Sequence, residues 1–144
     1  MKIFCKKYQK KFAELKNSCN FATETKNKST MNTKLDNRVS IYVPSTTEGN
    51  KPAKGLQKRV TKHTAKVFSR IFGGATSYKA RGYWNSSEKG LIAEEQNIIF
   101  SACTEADREK NENRIFALAK FICKYMKQEA VTVEINNTLY FVEA

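Results

Sequence analysis

The chain has 144 residues and a mass of 16.5 kDa, which suits one small domain and leaves little room for two. Apolar residues make up 40% and aromatic residues 11% of the sequence, enough for a packed core, so a wholly disordered chain is excluded. The net charge of +12 and the pI near 9.6 predict attraction to anions such as nucleic acid, nucleotides or phosphates.

The composition also excludes several kinds of site and location. The four cysteines are widely spaced without a CxxC pair, and there is one histidine, so neither a metal site nor a cofactor is expected. No apolar run approaches the roughly 18 residues that span a bilayer. The basic N-terminus lacks the apolar core of a secretory signal. These features predict a cytoplasmic protein with reduced thiols and no membrane span.

A change of composition near residue 30 predicts the domain boundary. Residues 1–30 are rich in lysine, lack arginine and end in a polar run without period, which is typical of a solvated tail. Met31 directly precedes the first strand-like run and is a candidate natural start. We therefore predict a basic, flexible extension over residues 1–37 and a single domain over residues 38–144.

The first half of this domain is predicted to contain one strand and one helix. Apolar residues alternate over residues 39–43, which indicates a half-buried strand. Residues 45–53 are predicted to form a polar loop. Residues 54–72 follow a helical period, and Gly73 with Gly74 supplies a C-terminal stop.

A hairpin and a second helix follow. Residues 75–84 favour an extended conformation, and residues 91–102 form a second strand-like run after a polar turn, which predicts a β-hairpin. Thr104 and Asp107 have the spacing of a capping box, so a helix is expected to begin there.

Two further strands complete the predicted fold. Residues 131–135 and 139–142 are strand-like runs joined by a tight turn at Asn136 and Asn137. The order β-α-β-β-α-β-β predicts an α+β, ferredoxin-like antiparallel sheet with two helices on one face and the last strand at an edge. Such a sheet leaves a face open, and Tyr42 with residues 139–142 offers a contact between copies, so a homo-oligomer is expected.

Candidate ligand-binding residues lie on the first strand of the hairpin. Lys79, Arg81 and Tyr83 share one face of that strand, and Trp84 lies on the other. Alternating cations and rings can neutralise phosphates while stacking bases. The alternative is a core Trp84 beside solvated cations.

Two neighbouring positions extend this candidate site. Thr76, which follows the glycine pair, offers a hydroxyl to a phosphate. Gly82, inside the strand, indicates either a bulge or a ligand that approaches the backbone.

A second candidate site is the basic face of the predicted helix 54–72. Its cations recur at i+4 spacing, which suits the backbone of a nucleic acid and equally suits an ordinary solvated surface. They are Lys54, Lys58, Lys62, Lys66 and Arg70.

Catalytic patterns are absent, so the protein is predicted not to be an enzyme. Glu94 and Glu95 point to opposite faces of a strand and cannot act as a carboxylate pair. Glu94 is instead expected to pair with Arg81 across the hairpin. The remaining alternative is an enzyme that acts through Glu94 or Glu129, and the lack of a nucleophile–base set or a metal cluster argues against it.

Several spaced motifs resemble a group of small bacterial and phage-borne proteins of mostly unassigned function. The motifs are Ile41-Tyr42-Val43-Pro44-Ser45-Thr46, Phe72-Gly73-Gly74-Ala75-Thr76, Gly82-Tyr83-Trp84, Gly90-Leu91-Ile92-Ala93-Glu94 and Gln128-Glu129-Ala130-Val131. Phage proteins of this size and layout include the Thoeris anti-defence sponges, which sequester a cyclic ADP-ribose-type signal. The resemblance implies a phage or mobile-element anti-defence factor.

Together these features predict a non-enzymatic protein that sequesters an anionic, nucleotide-like signal through Thr76, Lys79, Arg81, Tyr83 and Trp84. The alternative is a nucleic-acid-binding module that uses the basic helix face over residues 54–70 and the N-terminal arm.

Overall fold

The computed structural model describes residues 33–48 and 51–144, and Thr33–Ala144 cluster as one compact unit. Nearly all of the predicted N-terminal extension lies outside the described residues. In chain order the described elements are β1 (Asn37–Pro44), β2 (Thr46–Thr47), β3 (Lys51–Pro52), α1 (Lys54–Phe72), β4 (Thr76–Ser86), β5 (Gly90–Cys103), α2 (Glu105–Met126), β6 (Ala130–Ile135) and β7 (Thr138–Glu143).

The main sheet has the strand order β4-β5-β1-β6-β7, and every neighbouring pair is antiparallel. This order confirms the predicted α+β, ferredoxin-like class with two helices and a final edge strand. A difference lies in the segment predicted to be a polar loop. There, Thr46–Thr47 pairs with Lys51–Pro52 as a short second sheet.

The core lies between the helices and one face of the sheet. Val39, Ile41 and Val43 of β1 are fully buried, as their alternation predicts. Phe68 of α1 and Ile122 of α2 are equally buried against them. Burying each such side chain contributes about 1.5–3 kcal/mol to the free energy of unfolding. This packing places both helices on the same face and leaves the other face open.

The helix ends follow their local sequence. The Thr104 side chain accepts a hydrogen bond from the Asp107 backbone N–H at 3.2 Å, which confirms the predicted cap of α2. At the end of α1, Gly73 has a φ of 84°, and its N–H donates to the Ser69 carbonyl at 3.1 Å. Only glycine adopts that φ without strain, so this residue ends the helix.

The β4–β5 hairpin extends past the rest of the sheet. β4 pairs with β5 from Thr76–Phe100 to Ser86–Gly90, whereas β1 pairs with β5 only as far as Gln96. The outer part of the hairpin therefore has no neighbouring strand of the main sheet on its inner side.

Within residues 33–48 and 51–144, no helix combines the length and the hydropathy that a membrane span requires.

Thr64 of α1 gives a prediction about stability. Its side chain is 0% exposed, and its hydroxyl has no hydrogen-bond partner among the described residues. Because an unpaired buried hydroxyl is costly, Thr64→Val should raise the free energy of unfolding by about 1 kcal/mol. Urea unfolding measures the change as a higher midpoint at an unchanged slope.

Thr61, one turn earlier, supplies the matched control. Its hydroxyl oxygen accepts a hydrogen bond from the Asn97 side chain at 3.0 Å, so Thr61→Val should lower the same free energy by about 1 kcal/mol. Equal losses in both variants would show that the Thr64 hydroxyl has a partner after all.

Candidate functional site

The alternation of β4 divides the predicted ligand-binding residues between two faces of the sheet. Lys79 lies opposite Asn97, and Arg81 lies opposite Glu95, on the face that carries the helices. Tyr83 shares that face. Thr76 and Trp84 lie on the open face, at the two ends of the strand. The five residues therefore do not form one site.

A groove of about 850 Å³ lies between α1 and the β4–β5 hairpin. We call it the helix–hairpin groove. Its charged lining residues are Lys54, Lys58, Lys62, Lys79, Arg81 and Glu95. The remaining lining residues are small or uncharged and polar, and none is aromatic. The groove therefore suits an anion and offers no ring on which a base could stack.

The groove includes only part of the basic helix face. Lys66 and Arg70 do not line it, although they continue the i+4 series. Each step of four residues advances about 400° around an α-helix, so the series rotates by about 40° per step. The last two cations have by then turned away from β4.

Arg81 does not pair with the residue expected from the sequence. Its Nη2 atom lies 3.4 Å from Oε1 of Glu95, and both side chains are largely exposed. The prediction of a pair with Glu94 is wrong, because Glu94 lies opposite Gly82 and points to the other face. Hydrogen bonding to Tyr83, and then to Glu95, raises the pKa of Arg81.

A second group of polar and aromatic residues occupies the open face of the hairpin. We call Gly82, Trp84, Glu94 and Gln96 the hairpin patch; register places them at adjacent positions of β4 and β5. Trp84 is 48% exposed, so the alternative that it belongs to the core is wrong. A half-exposed indole beside a carboxylate is available to a ligand.

The carboxylate of Glu94 has a fixed orientation. Its Oε1 atom accepts a hydrogen bond from the Thr46 hydroxyl at 2.8 Å. Gln128 in turn donates to the Thr46 carbonyl at 2.7 Å, and the Ser45 N–H donates to the Glu95 carbonyl at 3.1 Å. One Glu94 oxygen is thereby anchored, and no hydrogen bond from a described residue engages the other.

Gly82 leaves space for the side chain of Gln96. The register runs through it without interruption, so the strand has no bulge there. A Cβ atom at Gly82 would lie 3.3 Å from Nε2 of Gln96. The missing side chain lets the Gln96 amide lie close to β4 at the position directly opposite Glu94.

The centre of the open face carries a cluster that the sequence did not single out as a site. The Tyr42 hydroxyl donates to Glu134 at 2.8 Å. Arg38 lies 4.1 Å above the Phe100 ring and donates to the Tyr78 hydroxyl at 3.2 Å. These partners come from strands far apart in sequence, so no local motif signals them.

The edge of the open face farthest from the hairpin patch is apolar. Leu139 and Phe141 of β7 are 51% and 72% exposed, and they share the face of Tyr42. Self-association through this surface stays a prediction.

The described cysteines and acidic residues offer no ready nucleophile or metal site. Burial raises the pKa of both the Cys103 and the Cys123 thiol, which disfavours the reactive thiolate. In the part of the chain that the structure describes, no three His, Cys, Asp or Glu side chains lie close enough to share a metal ion.

Comparison with known proteins gives structural relatives. No protein-family model and no curated protein sequence matches the chain. A phage SAM lyase solved in complex with S-methyl-5'-thioadenosine is similar at a TM-score of 0.55 and 25% identity, covering 75% of this chain and 89% of that one. The apo state of a phage SAM lyase is similar at a TM-score of 0.57 and 24% identity over the same shares.

These similarities correct one prediction and support another in part. The prediction that the protein is not an enzyme is contradicted, because the similar proteins are lyases. The expected likeness to phage-borne proteins that bind a small molecule is supported at that coarse level, since the first relative is a phage protein holding a nucleoside. Neither relative is a signal sponge.

The pKa of Tyr42 yields a prediction about pH. Burial, and then the hydrogen bond to Glu134, raises this pKa from 10.0 to about 12. The fold thus favours the neutral phenol, so the stabilisation is complete below pH 10 and is lost as the pH rises through about 12. Absorbance titration should show a late-ionising phenol in the wild type that is lost in Tyr42→Phe.

The Glu134→Gln variant distinguishes the effect of burial on the pKa of Tyr42 from the effect of the hydrogen bond to Glu134. Because burial remains in that variant, the late phenol should ionise between pH 10 and about 12. Ionisation of all phenols near pH 10 in the wild type would contradict the described contact.

Proposed function

We propose that this protein is a lyase that cleaves S-adenosylmethionine (SAM) and releases S-methyl-5'-thioadenosine. The observation that carries the proposal is the likeness to the phage SAM lyase bound to that nucleoside, at 25% identity over 75% of the chain. The charges and rings on the two faces of the hairpin support a particular location for the site.

The reaction needs no oxidant, reductant or water. The bond between the sulfonium sulfur and the γ-carbon of the methionine part breaks, and its electron pair stays on sulfur as a neutral thioether. The four-carbon fragment completes its valence by losing a proton or by closing on its own carboxylate. A positively charged leaving group is already present in the substrate, so the protein has to bind, orient and exclude water rather than supply a covalent nucleophile.

Charge favours the hairpin patch over the helix–hairpin groove as the SAM site. At neutral pH SAM carries a sulfonium, an ammonium and a carboxylate, for a net charge of +1. The groove carries five cations against one carboxylate and would repel such a substrate. The hairpin patch combines the Glu94 carboxylate with the exposed ring of Trp84, both of which attract a cation.

We assign a role in substrate binding to three residues of the patch. Trp84 is positioned to stack on the adenine ring. The Gln96 amide, next to Gly82, offers a donor and an acceptor for the edge of the base. Glu94, oriented by Thr46, presents its second oxygen to the cationic part of the substrate.

Removal of SAM would also account for an anti-defence role. Enzymes that methylate nucleic acids consume SAM as their methyl donor, so a phage product that destroys it would weaken any host defence that depends on methylation. This role replaces the sequestration expected from the sequence, and it rests on turnover of the substrate.

Substitution of the two adjacent glutamates tests the location of the site. Glu94→Gln removes the charge on the open face and should lower kcat/KM for SAM about tenfold to a hundredfold. Glu95→Gln makes the same change on the opposite face of the same strand and should leave turnover within about twofold. Chromatography of released S-methyl-5'-thioadenosine measures both. No product from the wild type would contradict the lyase proposal, whereas equal losses in the two variants would contradict the location.

The neighbouring aromatic residues test nucleoside binding separately from turnover. Trp84→Ala should weaken the affinity for S-methyl-5'-thioadenosine about tenfold, because base stacking on a ring is lost. Tyr83→Ala removes a ring on the opposite face and should leave the affinity unchanged. Calorimetric titration of each variant gives the Kd. A larger loss of affinity in Tyr83→Ala than in Trp84→Ala would place the nucleoside on the face that carries the helices.

A further inference from the structure

We propose that the helix–hairpin groove binds the phosphate backbone of a nucleic-acid strand. This inference does not rest on the proposed lyase reaction, which uses the opposite face of the hairpin. It combines two sets of cations that are distant in sequence, namely lysines of α1 and the basic residues of β4.

The groove holds a concentrated and largely uncompensated positive charge. Three lysines from α1 and two cations from β4 line it, with Glu95 as the one opposing charge. Glu95 is engaged with Arg81 at 3.4 Å. Among the described residues, none of the four lysines of the groove forms an ion pair. An anion that enters would therefore meet four lysines that pair with no described carboxylate.

The cations form two rows rather than one cluster. Along α1, Lys54, Lys58 and Lys62 follow each other at about 6 Å per step. Along β4, Lys79 and Arg81 are separated by about 7 Å. A ligand that satisfies both rows carries several negative charges at regular intervals, which is the property of a phosphodiester chain.

The uncharged lining residues favour the backbone of a strand over a free nucleotide. Small-molecule sites are usually lined by apolar and aromatic groups, and this groove has no ring. Two of its three amide side chains are also engaged: Gln57 donates to the Val43 carbonyl at 3.2 Å, and Asn97 donates to Thr61 at 3.0 Å. The third, Gln96, belongs by register to the open face. Few groups remain to read a base, so binding should depend on phosphate charge and not on sequence.

The test uses the full chain and a fluorescently labelled single-stranded oligothymidylate, with anisotropy measured at graded salt. With four to five phosphates neutralised, the logarithm of the association constant should fall with a slope of about −3 against the logarithm of the salt concentration. Lys58→Ala combined with Lys79→Ala should make this slope about 1.4 shallower and weaken binding on the order of tenfold.

A matched double variant distinguishes binding in the groove from a general effect of the protein's positive charge. Lys66→Ala combined with Arg70→Ala removes the same charge from the same region but outside the groove, so its slope should stay within error of the wild type. Equal effects of the two double variants would overturn the proposal, as would the absence of oligonucleotide binding. Displacement of the strand by equimolar nucleoside triphosphate would also overturn it, in favour of a free nucleotide.

Discussion

The burial of β1 at the centre of the sheet fixes the arrangement of the helices and of the neighbouring strands. Val39, Ile41 and Val43 are fully buried under the helices, while β5 and β6 pair with the two edges of the strand. Both helices must cover this one face to remove its apolar side chains from water. The opposite face is left without a layer, and it becomes the surface on which Tyr42, Trp84 and Glu94 are displayed.

The place where β1 ends decides where ligands can reach the molecule. Pairing with β5 stops at Gln96, so the β4–β5 hairpin continues alone and both of its faces are accessible. The chain that follows β1 turns back, and Thr46 bonds to Glu94 from there. The early end of β1 thus has two consequences: the β4–β5 hairpin projects beyond it, and the Thr46 hydroxyl comes to lie beside Glu94.

The two-residue period of β4 and β5 separates two opposite electrostatic environments across one layer of backbone. Glu95 lines the helix–hairpin groove with its five cations, and Glu94 belongs to the hairpin patch beside Trp84. The two ligands proposed above, a cationic nucleoside and a phosphate chain, would therefore bind on different sides of the same hairpin. The basic residues noted in the sequence contribute to only one of these surfaces.

Local signals in the sequence predict the class of fold and the positions of the helices and main-sheet strands, although not of the short strands β2 and β3. Apolar alternation over residues 39–43, the capping pair at Thr104 and Asp107, and the glycine stop at Gly73 are local signals, and the structure follows each of them. The alternation also assigned Lys79 and Trp84 to opposite faces of a strand.

The contacts between distant residues, in contrast, follow from the tertiary packing. The register of the hairpin places Glu95, and not Glu94, beside Arg81. The rotation of successive helix positions puts Lys62 in the groove and leaves Lys66 outside it. The lyase activity proposed above would leave no nucleophile–base motif in the sequence, because cleavage of a sulfonium substrate requires none. Contacts such as Thr46 with Glu94 join elements far apart in the chain. Such contacts depend on how the layers pack, which local periodicity does not encode.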